Sequence, residues 1–502
     1  MRRLIIKFRH SLRKRATNQK SSLSPPRQLC IMQKVGVLVV SYGARAAAVI
    51  DALKRSEEYD VRVYVVDKQR NPFNAELAEA HAVIPDLDVD AILKFAERHK
   101  DVLDFGIVCP EGPIIEGVRD VIEECLKIPM ICPTKEFALE GSKARQRLLL
   151  AEVASEANPE FKIFRRFEFK SVTEVKEALW RFLDEIGDDV AVKPDRPAAG
   201  KGVGVFGEHF HNREQLFEHF LSIFETSDVV VEKRLEGEES SFQAFCDGRR
   251  LEPLPETRDY KRAFDGDFGQ NTGGMGSYKD VSDLLPFMEP SDRERELALV
   301  EKIFKALKGD GRNEGLIGIP FYVAFMHTAE GPKILEINSR PGDPEIQNIL
   351  PIMRSDFVEL CFRMLEGSLQ RIECERRATV VTYAVPLTYG GYRTKYTGDS
   401  KVDLSGAYKL KEKYGDDVRI YPGAMELRDD GCTYALRSRA VCIVGVGEDL
   451  QAAREISLDG IRNIDGPLWN RWDIGAEWHI RNSVKRMRKL RAHGEGIIRP
   501  IR

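Results

Sequence analysis

Paired cysteines are missing from this chain. Its nine cysteines are scattered, and no two have the Cys-x-x-Cys spacing of a zinc site or a redox motif. The pattern therefore implies neither a zinc centre nor a disulfide framework, and it favours a reducing compartment. Long apolar runs are missing too, because none reaches the roughly 18 residues that a membrane span requires. We expect no membrane partner.

The chain also has little excess charge of either sign. Its 502 residues carry 77 Lys and Arg against 80 Asp and Glu, a formal net charge of −3. This balance gives no reason to expect nucleic acid as a partner. With 42% hydrophobic and 31% charged residues, the composition is that of a globular protein. The length predicts three or four domains.

Residues 1–31 differ from the rest because they contain no acidic residue. They are rich in serine and carry the basic residues Arg2, Arg3, Lys7, Arg9, Arg13, Lys14, Arg15, Lys20 and Arg27. Such a composition is found in organelle transit peptides. We favour a disordered extension or a translation start placed too early, since Met32 directly precedes the first predicted strand, and we expect a cytoplasmic protein.

Apolar runs alternate with helical segments in the first part of the chain. Val35–Val40, Val61–Val66 and Asp104–Cys109 have the pattern of buried parallel strands, and a helix follows the turn at Gly43. This alternation predicts an α/β sheet with ligands at the carboxyl ends of its strands. Asp67 after Gly43 suggests a dinucleotide site, but the turn has one glycine instead of three. A plain turn and a ligand-binding turn are equally supported.

A glycine-rich turn follows the predicted strand Val190–Lys193. It contains Gly200, Lys201 and Gly202, whose backbone N–H groups could fold over phosphates while the lysine adds charge. The turn is not a Walker A loop, because glycine follows the lysine where serine or threonine should stand. It predicts either a phosphate-binding loop or a simple hairpin.

Two segments carry the most information. Asn271–Gly276, preceded by Asp265–Asp267, packs glycines beside polar side chains, which allows close backbone approach to a small ligand. Glu336 and Asn338 are two apart on a predicted strand and so share a face. Two oxygen ligands on one face suit a hard cation such as Mg²⁺. Arg340 falls on the same side, where it could hold a phosphate or carboxylate in a forked contact. Together these features predict ATP-dependent activation of a carboxylate.

The order and spacing of these motifs resemble the ATP-grasp ligases and, within them, the phosphoribosylamine–glycine ligases. The resemblance is carried by Lys193…Gly200-Lys201-Gly202, Glu232…Glu238-Glu239-Ser240-Ser241-Phe242, Asp259-Tyr260-Lys261-Arg262…Asn271-Thr272-Gly273-Gly274-Met275-Gly276 and Glu336-Ile337-Asn338…Gly342-Asp343-Pro344-Glu345. It implies an α/β protein with an N-terminal parallel-sheet domain, an ATP-grasp core with a small lid, and a C-terminal α/β domain. We place these at residues 32–136, 137–375 (lid about 156–227) and 376–490, between the extension 1–31 and a tail 491–502.

The resemblance also implies the ligands: ATP with Mg²⁺ or Mn²⁺ as cofactors, and glycine and 5-phosphoribosylamine as small-molecule substrates of a monomer or small homo-oligomer. The residues implied at the ATP phosphates or in the nucleotide cleft are Lys143, Lys193, Gly200, Lys201 and Gly202. Those implied at adenine are Glu232 and Leu235, with Glu239 at the ribose. The implied metal ligands are Glu336 and Asn338. The residues implied around glycine and the acyl phosphate are Arg340, Asp265, Asn271 and Thr272. Further implied substrate contacts are Gly43, Arg45, Glu111 and Asp343.

The likeness departs from the usual pattern after the first strand. Arg45 is kept, but Ala46 and Ala47 stand where the family has an acid and a histidine. Three alternatives remain: a related ligase with a different amine or acid, a nucleotide-binding protein that does not catalyse, and an NAD-dependent oxidoreductase using Gly43 and Asp67. The intact metal pair argues against the second, and the single-glycine turn argues against the third.

Overall fold

The structure is a computed structural model that describes residues 32–197 and 202–495. The chain from Lys34 onward clusters as one compact unit. Across the two described ranges, none of the helices combines the length and the apolar character of a membrane span. Gly200 and Lys201, which the sequence places in the glycine-rich turn, lie outside these ranges.

The first layer is a five-stranded sheet flanked by helices. Its elements are β1 (Gln33–Ser41), α1 (Gly43–Lys54), β2 (Tyr59–Asp67), α2 (Pro72–Leu77), β3 (Ala78–Val83), α3 (Val89–Arg98), β4 (Phe105–Val108), α4 (Glu111–Glu116), α5 (Val118–Leu126) and β5 (Met130–Ile131). The strand order is β3-β2-β1-β4-β5, with parallel pairing in β2–β3, β1–β4 and β4–β5. Val37 and Val39 enter one core while Leu38 and Val40 enter another. The predicted parallel α/β layer is confirmed.

The next segment forms a small antiparallel sheet with its own core. Its elements are α6 (Lys143–Val153), β6 (Phe161–Phe164), α7 (Val172–Ile186), β7 (Val190–Pro194), β8 (Gly204–Val205), α8 (Arg213–Phe224) and β9 (Val229–Lys233). The strand order is β6-β9-β7-β8, and all three pairings are antiparallel. The sheet packs on α7 and α8 through a core that contains Phe164, Phe220 and Val231.

A second antiparallel sheet occupies the centre of the chain. The elements here are β10 (Glu238–Cys246), β11 (Leu251–Pro253), β12 (Arg258–Asp259), β13 (Arg262–Phe264), β14 (Phe268–Asn271), β15 (Gly276–Lys279), α9 (Pro290–Lys308), β16 (Gly318–Thr328) and β17 (Gly331–Asn338). The central order is β11-β10-β16-β17. Phe321 and Phe325 pack toward α9, whereas Tyr322 and Ala324 join the core of the parallel sheet. The central sheet therefore lies between α9 and the N-terminal layer.

The last part of the chain adds a fourth sheet. Its elements are α10 (Ile346–Ile349), α11 (Phe357–Glu366), β18 (Ala378–Pro386), α12 (Ser405–Lys409), α13 (Lys411–Tyr414), β19 (Val418–Pro422), β20 (Met425–Leu427), β21 (Thr433–Ala435), β22 (Val441–Gly447), α14 (Leu450–Arg462), β23 (Leu468–Trp469) and α15 (Glu477–Glu495). The order β12-β15-β18-β22-β19 shows that β12 and β15 belong to this sheet. The glycine-rich segment between them is therefore anchored in the C-terminal layer while it borders the central sheet.

Candidate active site

Strand β17 ends with the two oxygen ligands predicted from the sequence. Asn338 Nδ2 lies 3.4 Å from Glu336 Oε1, as expected for residues i and i+2 of one strand. Burial raises the pKa of Glu336, but nearby positive charges outweigh burial and hold that pKa below its ordinary value. Those charges belong to Lys143, Lys261, Lys193 and Arg340. A carboxylate surrounded by cations lies at the end of the strand.

The donor pair fits a divalent cation. Mg²⁺ is usually held by one or two carboxylates together with substrate phosphates, and an amide such as that of Asn338 can present its oxygen by exchanging the positions of its oxygen and nitrogen. Within the described part of the chain, no cluster of three His, Cys, Asp or Glu side chains is arranged to hold a metal. Glu336 and Asn338 thus suit a cation whose remaining ligands come from a nucleotide or water.

Three buried charges connect the small sheet to β17. Lys193 on β7 forms an ion pair with Glu232 on β9. Arg147 on α6 places Nε 2.8 Å from Glu232 Oε2 and donates to the carbonyl oxygens of Ile334 (3.0 Å) and Leu335 (2.7 Å). Burial lowers the pKa of Lys193, and the Glu232 carboxylate opposes that effect. Both oxygens of the Glu232 carboxylate are therefore engaged by protein cations.

Asp195 fixes the start of α6, where Lys143 is the first helical residue. Its Oδ1 accepts hydrogen bonds from Ser142 Oγ (2.8 Å) and Ala144 N (2.7 Å), and its carbonyl oxygen accepts from Lys143 N (3.0 Å). The glycine-rich turn begins just after Asp195 and connects β7 to β8, which pair with each other. In that turn Gly202 has φ +82°. Lys143 is therefore tied to the first residues of the turn.

Alternating charges join the N-terminal layer to the end of β17. Arg45 Nη2 lies 3.5 Å from Glu111 Oε2, and Arg340 Nε lies 3.8 Å from the same oxygen. Arg340 Nη2 is 3.2 Å from Glu140 Oε1. Burial raises the pKa of Glu111, but the positive charges of Arg340 and then Arg45 outweigh burial. The pKa of Glu111 therefore lies below its ordinary value. Arg340 is thus held from two sides by carboxylates.

The glycine loop, residues 272–276, packs against β12 and the two residues that follow it. Thr272 donates from N (2.8 Å) and from Oγ1 (2.9 Å) to the carbonyl oxygen of Lys261. Gly274 has φ +101°, and a Cβ there would lie 2.6 Å from Asp259 Oδ1 and 2.7 Å from Pro344 Cδ. Only glycine allows this approach. Lys261 also forms an ion pair with Glu239, which brings the predicted ribose contact into the same cluster.

Asp343 lies where the three layers meet. Its Oδ1 accepts from Tyr383 OH (2.6 Å) and Gln347 Nε2 (2.9 Å), and its Oδ2 lies 3.0 Å from Arg439 Nη2. A Cβ on Gly43 would be 3.3 Å from Asp343 Oδ2. Burial raises the pKa of Asp343, but Arg439 and then Arg45 outweigh burial and hold it below its ordinary value. The predicted contacts Gly43 and Asp343 are therefore neighbours.

Three predicted residues have a different setting. Asp265 lies in the turn between β13 and β14, and its Oδ1 accepts from Trp472 N at 2.8 Å, so it faces the C-terminal segment. Asn271 pairs with Arg262 in the β13–β14 hairpin. Leu235 is half-buried just beyond β9.

Several residues of the cluster were not singled out from the sequence. They are Glu140, Arg147, Asp259, Lys261 and Arg439. Asp259 and Lys261 stand in a run that carries the family resemblance, and Glu140 begins the run Glu140-Gly141-Ser142-Lys143, where that resemblance is also strong, so a signal existed for all three. Arg147 and Arg439 have partners far along the chain, and no local pattern marks them.

The layers and the lysine-rich cleft around Glu336 define an ATP-grasp ligase, an ATP-dependent enzyme. Residues 35–140 match the N domain of phosphoribosylglycinamide synthetase, and residues 160–346 match its ATP-grasp (A) domain. The phosphoribosylamine–glycine ligase of Methanocella arvoryzae is 36% identical over 462 residues, covering 91% of this chain and 99% of the relative. That of Pyrococcus furiosus is 35% identical over 467 residues, covering 91% and 98%. The chain belongs to the phosphoribosylamine–glycine ligase family.

Solved structures agree with this fold. The phosphoribosylamine–glycine ligase of Thermotoga maritima superposes with a TM-score of 0.68 at 22% identity, over 88% of this chain and 100% of that one. The biotin carboxylase domain of Hydrogenobacter thermophilus 2-oxoglutarate carboxylase, solved with MgADP, gives a TM-score of 0.59 at 18% identity, over 92% and 95%. The predicted α/β fold class is confirmed.

Proposed function

We propose that this chain joins glycine to 5-phosphoribosylamine at the expense of ATP, giving glycinamide ribonucleotide for purine synthesis. Relatives named phosphoribosylamine–glycine ligase align with this chain over nearly their whole length. The observation that carries the proposal is the Glu336–Asn338 pair at the end of β17, with Lys143, Lys193, Lys261 and Arg340 around it. A cluster of cations around one carboxylate suits a metal-bound triphosphate beside a small acid.

The reaction has two steps in this proposal. A carboxylate oxygen of glycine bonds to the γ-phosphorus of ATP while the bond to the departing ADP breaks, which gives glycyl phosphate. The amine nitrogen then bonds to the acyl carbon, the bond from that carbon to the phosphate oxygen breaks, and the amine gives up a proton. Because both steps need alignment more than covalent help from the protein, positioned charges carry the catalysis.

The roles of individual residues follow from their contacts. Glu336 and Asn338 would hold Mg²⁺ or Mn²⁺, which supplies charge neutralisation at the phosphates. Lys143 and Lys193 would bind the phosphates. Arg340, held by carboxylates on two sides, would orient the glycine carboxylate. Other substrate contacts would come from Gly43, Arg45, Glu111, Asn271, Thr272 and Asp343. We leave Asp265 out of this set because it faces the C-terminal segment.

We also propose domain limits near residues 136 and 375. The lid would then comprise 161–233 instead of 156–227, because β9 lies between β6 and β7 in its sheet. The scattered cysteines support a cytoplasmic enzyme. We expect a monomer or a small homo-oligomer.

The test is an assay with freshly generated 5-phosphoribosylamine that measures ADP and amide product separately. Wild-type protein should release one ADP for each amide formed, and product should depend on glycine, the amine and a divalent cation. Alanine in place of glycine, and ammonia in place of the amine, serve as controls. Amide from another amine, with none from 5-phosphoribosylamine, would refute the substrate assignment and leave the ATP-grasp class intact.

A further inference from the structure

Arg439 lies outside both segments that match the family domains, which are residues 35–140 and 160–346. It lies between β21 and β22 in the C-terminal layer, two residues before β22 begins. Its guanidinium nevertheless reaches the middle of the candidate active site. The C-terminal layer thus contributes a charged group to a site built mainly by the other two layers.

One guanidinium nitrogen connects two loops of the site. Arg439 Nη1 lies within hydrogen-bonding distance of the carbonyl oxygens of Gly273 (2.6 Å), Gly274 (3.2 Å) and Asp343 (3.1 Å). Its Nη2 lies 3.0 Å from Asp343 Oδ2. The guanidinium carbon stacks 4.6 Å from the centre of the Tyr383 ring. These contacts hold the glycine loop and the segment 340–345 at a fixed distance from each other.

Each of the two loops carries residues that the proposed function uses. The glycine loop begins at Thr272, whereas Arg340 and Asp343 flank Pro341 and Gly342 on the other loop. Asp343 Oδ2 also borders Gly43 at the start of α1. A shift of either loop would therefore move Arg340 relative to the glycine loop. A shift of the segment 340–345 would also change its contact with Gly43 in the N-terminal layer.

We propose that Arg439 is a positioning residue for ligation, one that fixes the glycine loop against the segment 340–345 so that the acyl phosphate meets the amine. This inference rests on the proposed function. The inference gives Arg439 little part in ATP binding, because Arg439 contacts the glycine loop and Asp343 and does not contact Lys193 or Glu232. A misplacement of about 1 Å can reduce a rate about 100-fold without loss of binding residues.

Lysine should not replace arginine here. Arginine offers a rigid fork that binds several oxygens at once and stacks on aromatic rings, whereas a lysine ammonium is a point charge on a flexible stem. Arg439→Lys keeps the charge near Asp343 and loses the fork. Arg439→Gln removes the charge as well. The matched controls are Arg437→Lys and Arg437→Gln, since Arg437 is an exposed arginine two residues earlier on the same segment.

The experiment uses the full chain and measures ADP release, amide formation and the KM values for ATP, glycine and the amine. For Arg439→Lys we expect amide formation to fall about 100-fold, the KM for ATP to change less than about threefold, and ADP release to exceed amide formation because misaligned glycyl phosphate hydrolyses. Added guanidinium should restore part of the activity of Arg439→Gln. Both Arg437 variants should match the wild type.

Hydrogen exchange gives a readout that does not need activity. Peptides covering 272–276 and 340–345 should exchange faster in Arg439→Lys than in the wild type or the Arg437 variants, while peptides from β7 and β9 should not change. Unchanged exchange in both loops, or one amide per ADP with wild-type KM values, would overturn the inference. If the wild type makes no glycinamide ribonucleotide, the proposed function fails, and the exchange data still decide whether Arg439 holds the loops. If Arg439→Gln does not fold, Arg439→Lys alone decides.

Discussion

Replacing Glu232 by glutamine should destabilise the protein, because the carboxylate lies between two buried cations. The side chains of Glu232 and Arg147 are each 3% exposed, and that of Lys193 is 11% exposed. Glutamine keeps the shape of the side chain and can still accept a hydrogen bond. It leaves two positive charges facing each other where water cannot screen them.

The loss in the free energy of unfolding can be estimated from the burial of these side chains. Removing one partner of a buried pair costs about 3–5 kcal/mol, most of it from the charge left behind. Because glutamine still accepts one hydrogen bond, we expect the lower end, about 3 kcal/mol, or roughly 100-fold in the unfolding equilibrium.

The loss should also depend on pH. Burial lowers the pKa of Lys193 in the folded protein, and Glu232 counteracts this. Without that carboxylate the folded pKa should lie further below the unfolded value of about 10.4. Between these two pKa values the unfolded chain binds more protons, so the free energy of unfolding rises with pH. The deficit of the variant should therefore be largest near neutral pH and shrink as the pH approaches 10.

Urea denaturation followed by circular dichroism, at a series of pH values from 7 to 9.5, measures both effects. The matched control is Glu160→Gln, which breaks the Glu160–Lys233 pair (2.9 Å) beside the same strand, where the side chains are 60% and 50% exposed. Such a surface pair contributes only about 0–1 kcal/mol. A loss below about 1 kcal/mol for Glu232→Gln, or a deficit that stays constant with pH, would refute the reasoning.

Three further predictions concern the nucleotide side of the site. Glu336→Gln should abolish cation-dependent ADP formation with little change in the unfolding curve, and undiminished ADP formation would contradict the assigned metal ligand. Lys201→Ala should raise the KM for ATP about tenfold or more, equal to about 1.4 kcal/mol; an unaltered ATP titration would make the turn a simple hairpin. Asp195→Ala should cost about 0.5–2 kcal/mol of stability, because Ser142 Oγ and Ala144 N at the start of α6 lose their acceptor, and Asp195→Asn, which can still accept these hydrogen bonds, should lose less when both are compared by urea denaturation.

The parallel layer could be predicted wherever its strands are buried on both faces. Val35–Val40 and Val61–Val66 read as continuous apolar runs because alternate residues enter two different cores, and both are confirmed as parts of β1 and β2. The strands β3 and β5 gave no such signal. β3 is half-exposed at the edge of the sheet, and β5 has only two residues, which is too short for a period to be seen.

The start of α6 was set by a capping residue and could not be predicted from the apolar periodicity. The pattern from Lys135 to Ala154 predicts one helix, and its first part is wrong. Two 3₁₀ turns occupy Lys135–Phe137 and Leu139–Gly141, and the α-helix begins at Lys143. Ser142 caps it by accepting from Arg145 N at 3.0 Å. A serine at this position is a recognised start signal, so the boundary was readable from the cap although not from the apolar spacing.

In the candidate site, contacts between residues close in sequence could be predicted, whereas contacts between residues far apart in sequence could not. Glu336 and Asn338 could be paired because strand geometry fixes residues i and i+2 on one face. The partners of Arg147 and Arg439 could not be paired in this way. Arg147 contacts Glu232 across 85 residues, and Arg439 contacts Gly273 across 166 residues. Such pairings depend on how the sheets pack against one another, which no short pattern records.

Whether this chain can bind the amine substrate depends on where Ala46 and Ala47, which replace the acid and the histidine usual in the family, lie in the fold. Ala46 and Ala47 are fully buried in the core that the parallel sheet shares with the other layers. Charged side chains at these two positions would be placed in apolar surroundings, where an unpaired charge is costly. The two alanines are therefore part of the core packing here and do not leave a gap in the site surface. Arg45 and Glu111, linked to each other and to Arg340, remain at the carboxyl ends of β1 and β4. Recognition of the amine should accordingly depend on those two side chains and on the Gly43 turn.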